Sequence, residues 1–241
     1  MTPRALLMAV VAIVLAGVCV RMGAWQMSRW QQKRHANAAL RASLAAPAVA
    51  VRTAADLRAA PAQRRLRLEG TFDESRQVLV SDRWRDERPG VELLTPLRLA
   101  GGGAVMVDRG WLPSADAITA RPQDHPEPGA RVLTALRIAL PRGARHAAWS
   151  RLPGGPPELW SVRALDADSL GAHEPDAVSG WLLQALPDST PHALPLRSAP
   201  EPADESMHLS YALQWSLFAL AFLAGAALVA VREHAAAAAG R

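Results

Sequence analysis

The chain has 241 residues, of which half are hydrophobic and 20% are charged, and its formal net charge is +5 at pH 7. All basic residues except Lys33 are arginines; they form no dense run and are not interleaved with aromatics, which argues against nucleic-acid binding. The single cysteine, Cys19, excludes an intrachain disulfide and a thiolate metal site.

The first apolar run, ALLMAVVAIVLAGVCV, covers Ala5–Val20 without a charge. It is shorter than the roughly 20 residues that cross a bilayer, but GAWQMS extends it beyond Arg21, whose long side chain reaches the interface. A secretory signal is the alternative, although no clear A-x-A cleavage site follows. Lipidation at Cys19 is disfavoured because the preceding residue is not small. We therefore predict a first transmembrane helix and its interface over residues 1–28.

The middle of the chain, residues 29–206, alternates short Val-, Leu- and Ile-rich runs with turn residues, which is typical of β-strands. Gly101–Gly103 separate two of these runs and predict a β-hairpin. A helix is predicted from Ser161 to Leu170. We expect a mainly-β domain, an antiparallel barrel or sandwich with a minor helix. The seven predicted strands are RRLRLEGTF, QVLVSDR, VELLTPLRLA, AVMVDRGW, RVLTALRIAL, ELWSV and GWLLQAL.

The last apolar run covers Leu209–Val231, carries no charge and is followed by Arg232. It predicts a second transmembrane helix over residues 207–231, with a tail at 232–241. Acidic residues before this run and Arg232 after it favour a cytoplasmic carboxyl terminus. Basic residues after the first run argue the opposite, but long loops translocate largely regardless of charge. We predict both termini in the cytoplasm and the central domain outside it.

The second membrane segment opens with HLSYALQW, which places His208, Tyr211 and Trp215 near one helix face, with Phe222 further in. A neutral imidazole above an apolar groove suits haem, because it ligates iron while the groove holds the macrocycle. The alternative is an interfacial aromatic belt that only anchors the helix.

Two Trp and Gln doublets lie where the predicted membrane helices begin and end on the outer side. Trp25-Gln26 closes the first segment and Gln214-Trp215 opens the second, so an antiparallel pair of helices places both near the outer face. Glutamines in such positions hydrogen-bond across helices, for about 1 kcal/mol. We expect this pairing to shape the groove, with simple helix packing as the alternative.

Enzymatic signatures are weak in this sequence, and we expect a protein that is not an enzyme. Ser210 near His208 is the nearest candidate for a hydrolase, but no nucleophile elbow accompanies it. Asp108 and Arg109 are interpreted as a structural ion pair that closes the hairpin. The other histidines show no spacing typical of metal ligands; they are residues 35, 125, 146, 173, 192 and 234.

Five motifs occur in a specific order between Gly23 and about Trp215: GAWQMSRWQQKR, GTF, PGVELLTPL, VDRGWLP and HLSYALQW. In this combination the chain resembles the surfeit locus protein family of cytochrome c oxidase assembly factors, as a bacterial member. Two departures are Asp108, where asparagine is common before Arg-Gly-Trp, and the charged Arg21 beside the first motif.

The resemblance implies a protein of the bacterial cytoplasmic membrane with a periplasmic domain, which promotes haem a delivery to or insertion into oxidase subunit I. Haem a synthase is a second candidate partner. Arg21 or Arg29 is a candidate to pair with the haem propionates. A scaffold that stabilises subunit I without binding haem is the alternative. The implied cofactor-binding residues are His208, Tyr211, Gln214, Trp215, Trp25 and Gln26, with His208 as the ligand of haem iron.

Other positions also match the family motifs and are not among the six implied cofactor-binding residues. These are Arg29 and Lys33 after the first span, and Arg109, Gly110 and Trp111 in the central motif.

Overall fold

The structure is a computed structural model that describes residues 2–61, 64–143, 148–153, 158–178, 180–188 and 193–239. The chain forms two compact units. The helical unit consists of Met1–Arg41 with Glu201–Arg241, and the sheet unit consists of Ala42–Pro200.

Four α-helices and nine β-strands are present in the described ranges, with a 3-10 turn at Pro122–Asp124. In chain order the elements are α1 (Pro3–Ala45), β1 (Val49–Val51), α2 (Ala54–Ala59), β2 (Arg65–Phe72), β3 (Arg76–Arg85), β4 (Arg88–Leu99), β5 (Ala104–Pro113), β6 (Ala130–Ala139), β7 (Ser150–Arg151), β8 (Glu158–Val162), α3 (Ala167–His173), β9 (Trp181–Ala185) and α4 (Ser206–Ala239).

All seven strands predicted from the sequence are confirmed, as β2 to β6, β8 and β9. The short strands β1 and β7 and the helix α2 were not predicted. The helix predicted from Ser161 was placed too early, because Ser161 belongs to β8. The helix α3 begins at Ala167, where the Asp166 carboxylate accepts hydrogen bonds from the backbone N–H groups of Asp168 and Ser169.

The strands form one mixed sheet, in the order β1-β2-β6-β9-β5-β4-β3-β8-β7, with an additional pairing between β2 and β4. The mainly-β domain with a minor helix is therefore confirmed, but the antiparallel barrel or sandwich is wrong. Three pairs are parallel: β1 with β2, β3 with β8 and β5 with β9. Periodicity in a sequence reports which face a side chain occupies and not which strand lies beside it, so these crossovers were missed.

The core of the sheet unit follows from alternation along its strands. In β2, Leu66 and Leu68 are fully buried while Arg67 and Glu69, which alternate with them, are exposed. Burying a leucine side chain contributes about 2 kcal/mol. One cluster joins β1, α2, β2, β4, β5, β6 and β9, and a second joins β3, β4, β5, β8, α3 and β9.

The predicted hairpin at the three glycines is confirmed as the turn between β4 and β5. Leu97 lies opposite Val105, and Arg98 lies opposite Ala104. Gly102 and Gly103 have φ values of 104° and 88°. This conformation is unfavourable for any residue that has a Cβ atom. The glycine run therefore specifies the tight reversal.

The helical unit contains two helices that are long and apolar enough to cross a membrane, α1 with 43 residues and α4 with 34. At 1.5 Å per residue α1 is about 65 Å long, whereas the hydrocarbon core of a bilayer is about 30 Å thick. Only part of α1 fits in such a core. The helix continues through residues 29–45, beyond the segment that the sequence predicted to lie in the membrane.

Candidate functional site

Small side chains line the contact between α1 and α4, which we call the helix seam. A Cβ atom added to Gly23 would lie 3.6 Å from the Ala212 carbonyl oxygen and from the Trp215 Cβ atom, so the two helices are in van der Waals contact here. Small residues permit such an approach without a gap. Gly23 and Ala212 are buried at this contact, and the other buried small residues of the apolar parts of the two helices are Ala5, Ala16, Cys19 and Ala219.

His208 lies in the first turn of α4, one turn before Ala212 of the seam. Its Nδ1 atom is 2.7 Å from the Oε1 atom of Gln26 on α1. The imidazole is half-buried, and so is Gln26. This hydrogen bond joins two residues that are 182 positions apart in the sequence, and it brings together two of the predicted site residues.

Gln214 does not take part in the predicted contact between glutamines. It is exposed on α4, and no hydrogen bond between Gln214 and α1 occurs in the described part of the chain. The sequence thus predicted correctly that Gln26 bonds across the helices, but its partner is the histidine. The glutamine pairing is therefore wrong in its second member.

The predicted aromatic residues are distributed over two environments. Trp215 is half-buried on the seam and meets Phe218 edge to face at 5.9 Å between ring centroids. Tyr211 and Trp25 are instead 46% and 51% exposed. Trp25 and Arg21 line an open groove of about 700 Å³ along α1. About half of each of these two residues is exposed, which leaves aromatic surface available to a planar, apolar ligand.

A polar contact that the sequence analysis missed holds the start of α4. Asn37 is only 4% exposed. Its amide nitrogen donates to the Ala203 carbonyl at 2.8 Å and to the Glu205 carboxylate at 2.6 Å, and its oxygen accepts from the Ala203 N–H at 2.9 Å. Lys33 donates to the Asp204 carbonyl at 3.1 Å. Lys33 follows Gln26 by seven residues and Asn37 follows Lys33 by four, so the three lie near one face of α1. This helical spacing is the sequence signal that could have indicated the contact.

Ser210 is not brought into contact with His208. Its hydroxyl donates to the Ser206 carbonyl at 3.0 Å, one turn earlier in the same helix. Serine commonly makes this local bond to its own helix backbone. Although Ser210 and His208 are close in the sequence, they do not form a pair of nucleophile and general base.

The central motif separates Asp108 from Arg109, so the predicted ion pair between them is wrong. Neighbouring residues on a strand point to opposite faces of the sheet. Asp108 accepts a hydrogen bond from the Gly110 N–H at 2.9 Å. Arg109 instead contacts Glu74 and Glu127 on the other face, each at 3.2 Å.

Arg109 is fully buried and organises a network of charges. Besides the two glutamates, it donates to the His125 carbonyl at 2.7 Å and lies 5.0 Å above the Phe72 ring. Glu127 also accepts two hydrogen bonds from Arg197, at 2.7 and 2.9 Å. A buried guanidinium is tolerated because its charge and donors are matched in this way.

Asp108 lies in a small polar cavity of about 10 Å³, which also touches Glu92, Trp111, Gln184 and Ser198. A space of this size holds about one water molecule. Burial, together with the nearby Glu92, raises the pKa of Asp108 to about 8, while the hydrogen bond from the Gly110 N–H opposes the shift. Burial also raises the pKa of Glu92. Asp108 is therefore predominantly neutral at pH 7.

Gly110 and Trp111 of the central motif bind the segment around Leu196. Leu196 exchanges two backbone hydrogen bonds with Trp111, at 3.1 and 2.7 Å. A Cβ atom on Gly110 would lie 2.7 Å from the Leu196 carbonyl oxygen, and the φ of Gly110 is 128°. Glycine is thus required for both space and conformation.

The model of the SURF1 family matches residues 13–220. The chain belongs to the SURF1 family. Members of this family are in general cytochrome oxidase assembly factors. The resemblance stated from the ordered motifs is therefore confirmed.

Relatives of the SURF1 family occur in both eukaryotes and bacteria. A SURF1-like protein of Monosiga brevicollis is 28% identical over 209 residues, which cover 80% of this chain and 76% of the relative. Uncharacterised SURF1-like proteins of Mycobacterium bovis and Mycobacterium tuberculosis are 28% identical over 227 residues, which cover 90% of this chain and 80% of each relative.

The motifs that mark this SURF1-family chain fall into both compact units. The first and last motifs supply Gln26 and His208, which meet in the helical unit. The central motif supplies Arg109, Gly110 and Trp111, which organise the sheet unit. The candidate for binding a cofactor is the seam, because its predicted site residues are polar or aromatic and partly exposed.

Proposed function

We propose that this protein is a non-enzymatic assembly factor that holds haem a as cargo at His208 and passes it to subunit I of cytochrome c oxidase. The observation that supports this is a half-buried imidazole at the start of an apolar helix, bonded to Gln26 of α1, with partly exposed Tyr211 one turn later in α4 and Trp25 next to Gln26 in the chain. Imidazole is a common ligand of haem iron, and exposed aromatic faces suit a macrocycle.

Residues on and beside the seam are proposed to hold this cargo in three ways. His208 is the candidate iron ligand. Tyr211, Gln214 and Trp215 on α4, with Trp25 and Gln26 on α1, are the proposed surroundings of the ring. Arg21 and Arg29 are exposed on α1 and carry the charge that pairs with propionates. Partial exposure of the site favours release, because much of a bound ligand stays uncovered.

We also propose the cellular setting: a bacterial cytoplasmic membrane, both helices crossing it, both termini in the cytoplasm and the sheet unit in the periplasm. Arg232 after the apolar part of α4 supports this orientation. Haem a synthase is proposed as the donor of the cargo. The orientation is tested with cysteines introduced singly at Arg121 and Arg232, both of which are exposed. Intact spheroplasts are treated with a membrane-impermeant thiol reagent. Only the cysteine at position 121 should react.

A scaffold that stabilises subunit I without haem is the second candidate. The hydrogen bond to Gln26 favours it, since a histidine and glutamine pair also serves to hold two membrane helices together. The two candidates differ in what they predict for haem binding, so pigment content separates them.

The decisive experiment is co-expression of the full chain with the enzymes of haem a synthesis, followed by purification and a visible absorption spectrum. We expect a haem a band in the wild type and its loss in His208→Ala. His234→Ala, an exposed histidine in the last turns of α4, is the matched control and should keep the band. Wild-type protein without pigment that still supports oxidase assembly would establish the scaffold.

A further inference from the structure

We propose that Gln26 is a positioning residue: it fixes the tautomer of His208 so that the Nε2 atom keeps its electron pair for a metal. The role toward a metal rests on the proposed function. The tautomer itself is a property of the protein without cargo and is measured separately.

The hydrogen bond between Gln26 and His208 has a direction that its two atoms decide. The Oε1 atom of Gln26 is a carbonyl oxygen, which accepts hydrogen bonds and has no proton to donate. At 2.7 Å from Oε1, the Nδ1 atom of His208 must therefore be the donor. A neutral imidazole with its proton on Nδ1 has an unprotonated Nε2. That is the atom able to bind iron.

The reverse orientation of the Gln26 amide leads to the opposite result. Its NH₂ group would then donate to Nδ1, and the imidazole proton would reside on Nε2. The Nε2 atom of such a histidine has no free electron pair to bind a metal. The orientation of one amide thus decides whether the ring is ready to bind a metal.

Contacts on both sides of the pair hold this geometry. Gly23, one turn before Gln26, brings α1 close to Ala212 and Trp215 of α4. Three turns after Gln26, Asn37 binds the Ala203 backbone and Glu205 immediately before α4. Histidines that ligate metals commonly donate their other N–H to an oxygen that orients the ring, and loss of that oxygen typically lowers affinity 10- to 100-fold.

The test uses the full chain, labelled with ¹⁵N-histidine and purified in detergent, at about pH 8, where an ordinary histidine is neutral. The His208 signals are assigned by their loss in His208→Ala. We expect the Nδ1-protonated tautomer in the wild type. Gln26→Met, which removes the acceptor at similar length, should shift the population toward the Nε2-protonated form. Gln31→Met is the matched control on an exposed position of α1 and should resemble the wild type.

Titration with haem a then measures the consequence. We expect Gln26→Met to bind at least about tenfold more weakly than the wild type, with Gln31→Met unchanged. An Nε2-protonated His208 in the wild type would overturn the inference whether or not haem binds. So would a Gln26→Met variant with wild-type affinity. Wild-type protein that shows the expected tautomer but binds no haem a would refute the proposed function while leaving the fixed tautomer established.

Discussion

Replacing Asp108 by asparagine should make the protein more stable, and by an amount that grows with pH. Asp108 is 6% exposed, and burial raises its pKa from 3.8 to about 8. In the unfolded chain the same carboxyl ionises near pH 4. Between these values the folded state keeps a proton that the unfolded state releases, so the free energy of unfolding falls as pH rises.

The size of the effect follows from the shift. Each pKa unit corresponds to about 1.4 kcal/mol, so the shift of Asp108 contributes at most roughly 5 kcal/mol of lost stability by pH 8. Relaxation of the site and entry of water reduce such values, and we expect a gain of about 2 kcal/mol for Asp108→Asn at pH 7. Asparagine keeps the oxygen that accepts from the Gly110 N–H. Asparagine is also the residue that is common before Arg-Gly-Trp in the family that the chain resembles.

The assay is urea unfolding of the full chain in nonionic detergent from pH 5 to 8, followed by tryptophan fluorescence. The difference between Asp108→Asn and the wild type should widen with pH, because groups remote from Asp108 titrate alike in both proteins. Asp116→Asn is the contrasting control. Hydrogen bonds from the Thr119 N–H, the Ser114 hydroxyl and the Ile118 N–H hold the pKa of Asp116 below its usual range, so its loss should destabilise by a constant amount over this interval. A flat difference for Asp108→Asn would refute our account.

Three further changes test other parts of the structure. Arg109→Met should lower the free energy of unfolding by about 3 kcal/mol, because it leaves two partly buried carboxylates without their shared cation; Arg98→Met, at a 62% exposed side chain, should change it by less than about 1 kcal/mol in the same urea assay. Gly110→Ala should increase amide hydrogen exchange at Leu196, because the added methyl group meets the carbonyl oxygen of that residue. Asn37→Ala should speed exchange of the amide of Ala203, because its side-chain acceptor is lost. Unchanged exchange in either variant would contradict the assigned contact.

Local features of the sequence were sufficient to predict most of the secondary structure. Alternation in β2 and the glycines between β4 and β5 act over a few residues, so they are legible without the fold. The helix α2 also had such a signal. Thr53 and Asp56 form a capping box, which the sequence analysis overlooked because the helix is only six residues long.

The sequence predicted which residues form the candidate site, but it did not predict which of them contact one another. The ordered motifs pointed to both Gln26 and His208, and helical periodicity placed His208 and Trp215 on one face. The hydrogen bond between Gln26 and His208 depends on the register of α1 against α4, which neither helix encodes alone. Asn37 was missed for the same reason, since a lone asparagine after a membrane segment is ordinary until its partners are known.

The sequence by itself determined two apolar terminal helices, seven strands between them and membership of a family. The tertiary structure decided which strands are neighbours, that Arg109 pairs with Glu74 and Glu127 and not with Asp108, and that His208 meets Gln26. The physical reason is range. Backbone preferences and hydrophobic periodicity act within a few residues, whereas these pairings join positions far apart in the chain and form only once the unit that contains them has folded.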